Sequence, residues 1–375
     1  MELLFWFSFL FIFYTYVGYP CLLFIWERLA GRKVNKAYIE PKVSIVIAAH
    51  NEEKHIGKKI ENCLGLNYPK GMVEVIVVSD GSEDRTNQIA GGFQTEAVRL
   101  LHYKERKGKA YALNLGVSQA KGEILFFTDA RQILEKECLR ELAANFNDSD
   151  VGAVSGELVL LQEGRPDSVE GVGLYWRYEK WMRKKESRIN SVLGATGSVY
   201  ACRKHLVKPI PPETILDDVL IPFQGILKGY RSIFEPKAVA FDHVAADVQK
   251  ELKRKVRTLA GNYQALLLEP RLLHPLKNPV FFQLMSHKIA RLLVPFAMLV
   301  LLVANLFIAE GVYWICLVAQ LTFYVLALTS KWGPDNLLGR MMKVSNVIMM
   351  MNYAALASGL KFLRDPRNID WEKSS

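Results

Sequence analysis

The chain has few cysteines and no signature of a zinc finger or an RNA-binding module. Its five cysteines are scattered, and none of their spacings is typical of a metal site or a disulfide framework, which favours a reduced cytoplasmic domain. The sequence also lacks internal repeats and low-complexity segments. Its net charge of +10 is not gathered in one tail. This charge therefore indicates an anionic membrane surface and an anionic substrate rather than nucleic acid.

A long apolar run opens the chain. From Met1 to Trp26 the one charged residue is Glu2, and the run exceeds the roughly 20 apolar residues that cross a bilayer. It is too long for the core of a signal peptide and lacks a basic first region, so we predict a retained transmembrane helix at 1–27. Four basic residues between positions 28 and 36 follow it. By the positive-inside rule, they place the next segment in the cytoplasm.

Apolar runs return near the other end of the chain. Residues 289–309 and 311–328 form two candidate spans, and 341–360 is a weaker third one. We therefore predict an interfacial amphipathic connector at 270–288, membrane helices within 289–362 and a tail at 363–375. Three crossings would put this tail outside the cell, whereas its basic residues favour the inside. The number of crossings and the side of the C-terminus stay open.

Residues 41–268 alternate strand and helix patterns, which predicts an α/β domain. Two apolar runs, Val43–Ala48 and Val73–Asp80, predict buried strands, and Glu123–Asp129 predicts another. Repeated strand, helix, strand units require right-handed crossovers and a mostly parallel sheet. The helix after the first strand is expected to bury Ile56, Ile60 and Leu64.

The second half of this domain is less regular. We predict a strand at 151–160, an aromatic and basic helix at 175–182 and an edge strand at 230–234. A long helix is expected from about 249 to 268.

Polar side chains stand where the predicted strands end. They are His50 and Glu52 after the first strand, Asp80 at the end of the second and Asp129 at the end of the third. Open α/β sheets bind ligands at this edge. His50 could stack on a base, Asp80 could accept from a base or a ribose hydroxyl, and Asp129 could hold ribose or a divalent ion on a diphosphate. The alternative for each aspartate is that it only caps the next helix.

Asp217 and Asp218 open another predicted helix. One of the pair could be a general base whose proton affinity the adjacent charge raises. Alternatively, both could simply favour the positive end of the helix dipole. The nearby Gly194 and Gly197 would let an acceptor approach closely.

The predicted helix at 249–268 carries Arg254, Arg257, Gly261 and Gln264 on one face. Paired guanidinium groups suit a diphosphate, because their forks match phosphate oxygens. A basic amphipathic helix lying on anionic lipid is the alternative. The glycine favours the first interpretation, since a surface helix does not need it.

Taken together, residues 41 to about 268 resemble the family 2 inverting glycosyltransferases, the membrane group that includes cellulose, chitin, hyaluronan and poly-N-acetylglucosamine synthases. The similar stretches are 49–52, 79–82, 128–131, 194–197, 216–218 and 254–258, in the expected order. The resemblance implies a GT-A nucleotide-diphospho-sugar transferase domain with Asp218 as the base. It also implies a donor site and an acceptor side. The donor residues would be His50, Glu52, Asp80, Lys109, Asp129 and Arg131, and the diphosphate and acceptor residues would be Arg254, Arg257, Gly194, Thr196, Gly197 and Asp217.

Two departures from the family pattern bear on cofactor and product. Arg131 stands where the family has a second acidic residue, so Asp129 alone would bind Mg²⁺ or Mn²⁺, and metal dependence stays open. Arg254 and Thr258 replace the Gln and Trp of the polymerising members. Processivity is therefore not implied.

We expect a multi-pass enzyme of the cell membrane with its catalytic domain in the cytoplasm. It would transfer a sugar from a nucleotide-diphosphate sugar, with a UDP-sugar favoured, to a growing polysaccharide with inversion. One alternative is a single addition to a polyprenyl phosphate or a lipid-linked glycan. A second is a catalytically inactive nucleotide-binding subunit of a polysaccharide export complex. The expected partners are the donor, a glycan or lipid-linked acceptor, the bilayer and export proteins, without nucleic acid.

Overall fold

A computed structural model of the chain describes residues 1–161, 170–243, 248–334 and 336–364. These residues form an α/β domain, which we call the catalytic domain after the expectation above, around one eight-stranded sheet, together with membrane-type helices. The strands are β1 (Val43–Ala49), β2 (Val73–Asp80), β3 (Val98–Tyr103), β4 (Ile124–Phe127), β5 (Ile133–Leu134), β6 (Val151–Leu161), β7 (Tyr200–Arg203) and β8 (Arg231–His243). Of the predicted tail 363–375, only its first two residues are described.

Helices flank the sheet and extend from it. Those of the domain are α3 (Ile56–Leu64), α4 (Thr86–Gly91), α5 (Lys109–Gln119), α6 (Cys138–Ala143), α7 (Glu170–Ile189), α8 (Asp217–Ile226) and α9 (Val248–Leu268). Those outside it are α1 (Glu2–Phe13), α2 (Tyr19–Ala30), α10 (Phe281–Gln283), α11 (Ala290–Phe307), α12 (Gly311–Leu328) and α13 (Leu337–Arg364).

The first half of the sheet is parallel, as predicted. Strand β1 pairs with β2 and β4, and β2 pairs with β3, all in parallel. Alternate residues of β1 point to opposite faces of the sheet. Ile45 and Ile47 join one apolar cluster with Ile56 of α3, whereas Val46 joins the other with Leu113 of α5. Burial on both faces explains the continuous apolar runs in these strands.

The buried face of α3 differs from the predicted one. Its buried residues are Ile56, Lys59, Ile60 and Cys63, whereas Leu64 is 51% exposed. Positions i, i+3, i+4 and i+7 share a helix face, so Lys59 occupies a core position. The interpretation of Leu64 as a core residue was wrong.

The second half of the sheet is mixed, with the order β3-β2-β1-β4-β7-β6-β8-β5. Strand β7 is antiparallel to β4 and β6, and β5 is antiparallel to β8. The edge strand predicted at 230–234 is the first part of β8, where Arg231–Phe234 pair with β6 and with no second strand among the described residues. Further along β8, Ala240 and Phe241 also pair with β5. Two register irregularities in the β6–β8 pair bend this half of the sheet, as β-bulges do.

Three helical segments are long and apolar enough to cross a membrane. They are Glu2–Ala30, Phe281–Phe307 and Gly311–Leu328. The second span begins earlier than predicted and includes the end of the expected connector at 270–288. Helix α13, which contains the weaker apolar run at 341–360, is not among the three. The first span contains a π-helical turn at Tyr14–Gly18, and the second contains one at Leu284–Ile289.

Several side-chain contacts join the catalytic domain to these outer helices, and two of them show where they lie. Lys185 of α7 forms an ion pair with Glu27 of α2, with 2.8 Å between Nζ and Oε2. Tyr263 of α9 stacks on Phe362 of α13, with ring centroids 5.3 Å apart. Helices α7 and α9 are therefore in direct contact with the membrane-type part of the chain.

Candidate active site

Lys109 joins the two acidic parts of the site. It begins α5 directly after Gly108, whose φ of 91° suits a glycine. Its Nζ atom lies 3.0 Å from Asp129 Oδ1 and 3.1 Å from Asp217 Oδ1. Burial alone would lower the pKa of Lys109, but Asp129, Asp217 and Asp218 raise it above its ordinary value. Lys109 is therefore a fixed cation between the end of β4 and the start of α8.

Asp217 and Asp218 form the first turn of α8, as predicted. Asp217 is buried, and its Oδ2 atom accepts a 3.0 Å hydrogen bond from the hydroxyl of Tyr200. Burial, together with the adjacent Asp217, raises the pKa of Asp218 to about 7. A carboxyl group that titrates near neutral pH suits a general base. Of the two aspartates, Asp218 is also the partly exposed one.

The loop at 194–197 packs against the start of α8. Ala195 donates its backbone N–H to the carbonyl oxygen of Asp218 at 2.7 Å. A methyl group at Gly197 would lie 3.1 Å from Asp218 Oδ2, so this glycine leaves room for the carboxylate. Thr196 is bonded to Ser155 of β6, which fixes the loop to the sheet. The predicted acceptor loop thus borders the candidate base.

His50 and Asp80 hold the neighbouring end of the sheet together. Asp80 is 1% exposed, and its carboxylate accepts hydrogen bonds from the Tyr103 hydroxyl and from the backbone N–H groups of Lys107 and Gly108. Nδ1 of His50 lies 2.6 Å from the carbonyl oxygen of Asp80. Because a carbonyl oxygen only accepts, this nitrogen carries the proton. Asp80 therefore orders the loop that leads to Lys109.

Arg131 is held by an aspartate from β8. Its Nε and Nη2 atoms donate to the two carboxylate oxygens of Asp242 at 3.0 and 2.8 Å. Gln132 donates to the same carboxylate. Burial alone would lower the pKa of Arg131, but Asp242 raises it, and Asp129 and Glu52 act in the same direction. The residue in the place of the family's second acid is therefore an anchored cation beside Asp129.

Helix α9 brings the predicted arginines to the site. A methyl group at Gly261 would lie 2.6 Å from Leu216, so the glycine permits α9 to pack against the start of α8. The side chain of Gln264 bonds the main chain at both Ile215 and Glu213. Burial lowers the pKa of Arg257, while Asp217, Asp129 and Asp218 oppose this effect. The neighbouring charge of Arg254 also acts on Arg257.

Sequence reasoning missed Lys59, Tyr200 and Arg183. Lys59 donates to Thr128 Oγ1 and to the carbonyl oxygen of Gln132, both at 2.8 Å, and so braces the segment that carries Asp129. Its place among Ile56, Ile60 and Cys63 could have revealed it. No sequence signal singles out the other two, because their partners are determined by the tertiary fold.

Asp129 is the residue at this site that could bind a divalent ion. In the described parts of the chain, no group of three or more His, Cys, Asp or Glu side chains could hold a metal ion. The side chain of Asp129 is 39% exposed and faces Lys109. Mg²⁺ commonly binds through one or two carboxylates plus substrate phosphates. One accessible carboxylate at the donor side is compatible with that mode.

Comparison with known proteins finds a family match over the first part of this site. The model of the family described as Glycosyl transferase family 2 matches residues 44–206. Among curated proteins, the chain is similar to one named Probable glycosyltransferase YdaM from Bacillus subtilis, at 27% identity over 240 residues. That match covers 60% of this chain and 56% of the relative.

A poly-beta-1,6-N-acetyl-D-glucosamine synthase from Staphylococcus aureus is 25% identical over 234 residues, which cover 60% of this chain and 55% of the synthase. The matches thus span about half the length of these relatives.

A solved structure has the same fold over nearly all of the chain. It is the mannosyltransferase PcManGT from Pyrobaculum calidifontis in complex with GDP-Man and Mn²⁺. The TM-score is 0.74 at 22% sequence identity, and the match covers 96% of this chain and 99% of that one. The chain therefore has a GT-A fold with three candidate membrane-spanning helices. Residues 44–206 therefore form a glycosyl transferase family 2 domain, and the two curated relatives are named as a glycosyltransferase and a polysaccharide synthase.

Proposed function

We propose that the enzyme transfers a sugar from a nucleotide-diphosphate sugar to a membrane-associated acceptor with inversion. The observation that carries this proposal is the position of Lys109, whose Nζ atom lies about equally far from Asp129 and Asp217. It joins the donor-side carboxylate to the helix that carries Asp218. A complete arrangement of this kind favours an active enzyme over a silent nucleotide-binding subunit.

The proposed reaction is a single in-line displacement. Asp218 accepts the proton of the acceptor hydroxyl, and the oxygen forms a bond to the anomeric carbon of the donor. The bond from that carbon to the diphosphate breaks, and the diphosphate leaves with the electron pair. Lys109 and Arg257 stabilise the charge that develops on it, which is electrostatic catalysis by fixed groups. Arg254 extends the same basic surface of α9.

A divalent ion, Mg²⁺ or Mn²⁺, would be held by Asp129. When bound, it would supply positive charge to the diphosphate. The solved mannosyltransferase with the same fold contains Mn²⁺, which supports this part of the proposal. Arg131 stands where other family members have a second acidic residue. Its positive charge would replace part of the charge of the metal ion beside the diphosphate.

The donor and the product are the finer parts of the proposal. The relative from Staphylococcus aureus is named as a poly-beta-1,6-N-acetyl-D-glucosamine synthase, which supports a growing polysaccharide as acceptor. The donor that we propose is a UDP-sugar. The mannosyltransferase structure holds GDP-Man, so a GDP-sugar is the alternative donor. Arg254 and Thr258 stand in place of the polymerase Gln and Trp, so a single addition to a lipid-linked acceptor is the alternative product.

Membranes containing the enzyme provide the test. They are incubated with radiolabelled UDP- and GDP-sugars, with and without Mg²⁺ or Mn²⁺, and the product is sized and its anomeric configuration determined. Asp218→Asn serves as the matched control. We expect labelled product of inverted configuration from the wild type only. A ladder of oligomers identifies a polymerase, and one added sugar identifies a single-addition enzyme. Equal turnover by the variant would refute Asp218 as the base.

We further propose that the catalytic domain faces the cytoplasm of a multi-pass cell-membrane protein. The basic residues that follow the first span, between positions 28 and 36, support this orientation. Protease treatment of sealed, right-side-out vesicles should leave the catalytic domain intact. Its digestion under those conditions would contradict the orientation.

A further inference from the structure

Two cations near Asp218 form no ion pair among the described residues. Arg183 of α7 donates only to hydroxyl groups, from Nη1 to Thr196 Oγ1 at 3.0 Å and from Nη2 to Ser155 Oγ at 2.7 Å. Lys288 makes no hydrogen bond or ion pair within 1–161, 170–243, 248–334 and 336–364. Both side chains are only partly exposed. Glu179 and Glu186 attract both charges, but among the described residues neither cation has a carboxylate within ion-pair distance, so each can take a direct anionic partner.

Lys288 lies where the second membrane span meets the catalytic domain. It belongs to the π-helical turn Leu284–Ile289, and such turns frequently occur at functional sites. Leu284 and Ile289, on either side of it, pack in one apolar cluster with Val219 and Phe223 of α8. The turn therefore abuts the helix that begins with the candidate base.

The electrostatic interactions place these groups around the base. The charge of Lys288 lowers the pKa of Asp218, opposing its burial and the effect of Asp217. Burial lowers the pKa of Arg183, and the charges of Glu179, Glu186 and then Asp218 oppose this effect. The carboxylate of Asp218 thus has one cation from α7 and one from the membrane span in its surroundings.

The nearest carboxylates on α7 already have partners. Glu179 pairs with Arg291 and with His287, whose Nε2 lies 3.3 Å from it. Glu186 Oε1 accepts from the Tyr19 hydroxyl at 2.8 Å and lies 2.7 Å from Nδ1 of His287. Neither glutamate forms an ion pair with Lys288. The acidic groups nearby are therefore engaged by other residues.

The donor side has its own cations. Lys109 contacts Asp129, and Arg257 lies close enough to Asp129 for the two charges to interact. We assign these two cations to the diphosphate of the donor. Arg183 and Lys288 instead adjoin the acceptor loop and the membrane span. An anion at this second position would have to arrive with the acceptor, from the membrane side.

We propose that Arg183 and Lys288 bind the phosphate group that links a lipid anchor to the acceptor sugar. This inference rests on the proposed function and names its acceptor class, a phosphorylated lipid. The phosphate bridges the two cations at the end of the membrane span, while the acceptor hydroxyl reaches Asp218 and loses its proton there. A guanidinium fork and an ammonium group are both suited to phosphate oxygens.

Direct binding tests the site. The full chain in nanodiscs of neutral phosphatidylcholine is titrated with polyprenyl monophosphate, with polyprenol and with inorganic phosphate, and binding is followed by native mass spectrometry. We expect the lipid phosphate to bind the wild type far more tightly than either other probe. Lys288→Gln should weaken this binding at least about tenfold, as expected for loss of a charged hydrogen bond. Lys288→Arg should retain most of it.

The matched control is Lys277→Gln, an exposed lysine in the preceding connector that removes the same charge. It should bind like the wild type. Equal binding by Lys288→Gln and the wild type would overturn the proposal, as would equal binding of polyprenol. Inorganic phosphate binding as tightly as the lipid would show that the site takes free phosphate, which overturns the lipid source.

Arg183→Gln is expected to weaken lipid-phosphate binding as well. Because Arg183 also fixes the 194–197 loop, its thermal unfolding is measured alongside, and the conclusion depends on the Lys288 variants. The proposed function is tested separately by donor consumption in the same particles. Binding of lipid phosphate without donor turnover would refute the function but keep the site. Turnover with unimpaired Lys288→Gln would refute the site but keep the function.

Discussion

Gly197 lies directly against the carboxylate of Asp218. A methyl group added at position 197 would be 3.1 Å from Asp218 Oδ2 and 3.5 Å from its Cγ. The first distance is tighter than ordinary van der Waals contact, so the carboxylate would have to shift. This contact links the acceptor loop to the candidate base.

Gly197→Ala should lower kcat by about tenfold to a hundredfold, because small misplacements of a reacting group cost that much. Donor binding should change little, since Asp129 and Lys109 do not contact this glycine. Steady-state kinetics together with donor binding measure the two effects. Gly91→Ala is the control, since its methyl group would meet only Leu100, at 3.9 Å. A Gly197→Ala enzyme with wild-type kcat would contradict this placement of the base.

The pH profile should report Asp218. Its pKa is raised to about 7, first by burial and then by Asp217, and a general base acts when deprotonated. We expect kcat/KM to rise with pH up to about 7 and then to level off. Asp217→Asn removes a charge that raises this pKa, so the rise should move to lower pH. An unchanged acid limb in this variant would argue against Asp218 as the titrating group.

The same shift has a consequence for folding. A carboxyl group whose pKa is raised in the folded state holds its proton more tightly there than in the unfolded chain. Its contribution to stability is therefore present below the unfolded pKa of about 4 and is lost as pH rises to about 7. In Asp218→Asn this pH-dependent loss should disappear, as measured by denaturation between pH 5 and 8.

Lys59 should support donor binding through its hydrogen bonds to the segment that carries Asp129. Lys59→Met removes both of its hydrogen bonds, to Thr128 and to Gln132, which hold the Asp129 segment. We expect KM for the donor to rise several-fold and the free energy of unfolding to fall by about 1–3 kcal/mol. Kinetics and chemical denaturation provide the measurements. Lys58→Met changes an exposed neighbour and should affect neither quantity. If the two variants behave alike, Lys59 does not support the site.

Arg131 should matter for stability more than an ordinary surface arginine does. Its partner Asp242 is buried, and Arg131→Met leaves it with fewer donors. We expect the free energy of unfolding to fall by about 1–3 kcal/mol. Arg85→Met, which breaks the exposed pair with Glu53, should cost less than about 1 kcal/mol. Equal costs in urea denaturation would show that the Asp242 pair adds nothing.

Metal titration should distinguish the effects of Asp129 and Arg131 on the metal requirement of the reaction. If Asp129 is the protein ligand of the ion, Asp129→Asn should need at least about tenfold more Mn²⁺ for half-maximal activity. Arg131→Asp supplies a second carboxylate and should sharpen the response to added metal. Flat titrations for the wild type and both variants would exclude a catalytic ion at this position.

Local patterns predicted the parallel half of the sheet and the positions of Asp129 and Asp217–Asp218. Continuous apolar runs identify strands buried on both faces, and a polar residue after such a run marks the edge where ligands bind. The pairing of β8 with two strands was not predictable, because it depends on contacts distant in sequence. For the same reason, Asp242 as the partner of Arg131, 111 residues away, left no local signal.

Lys59 is a different kind of omission. Its position relative to Ile56 and Ile60 assigns it to the buried face, but a lysine is normally expected in solvent. Two oxygen atoms supplied by the Thr128–Gln132 segment make its burial tolerable, and they are visible only in the folded chain. The helical period correctly indicates that Lys59 is buried, whereas its residue type wrongly suggests that it is exposed.

The two contacts of Gln264 have a practical consequence. The Gln264 side chain bonds the main chain of Glu213 and Ile215, so the segment that leads into α8 is attached to α9. The adjacent Tyr263 stacks on Phe362 of α13. Helix α9 therefore connects the candidate base on α8 to the outer helix α13. A detergent that separates α13 from α9 should abolish the enzyme's activity while the sheet stays folded. Activity, not circular dichroism, should therefore guide the choice of solubilising conditions.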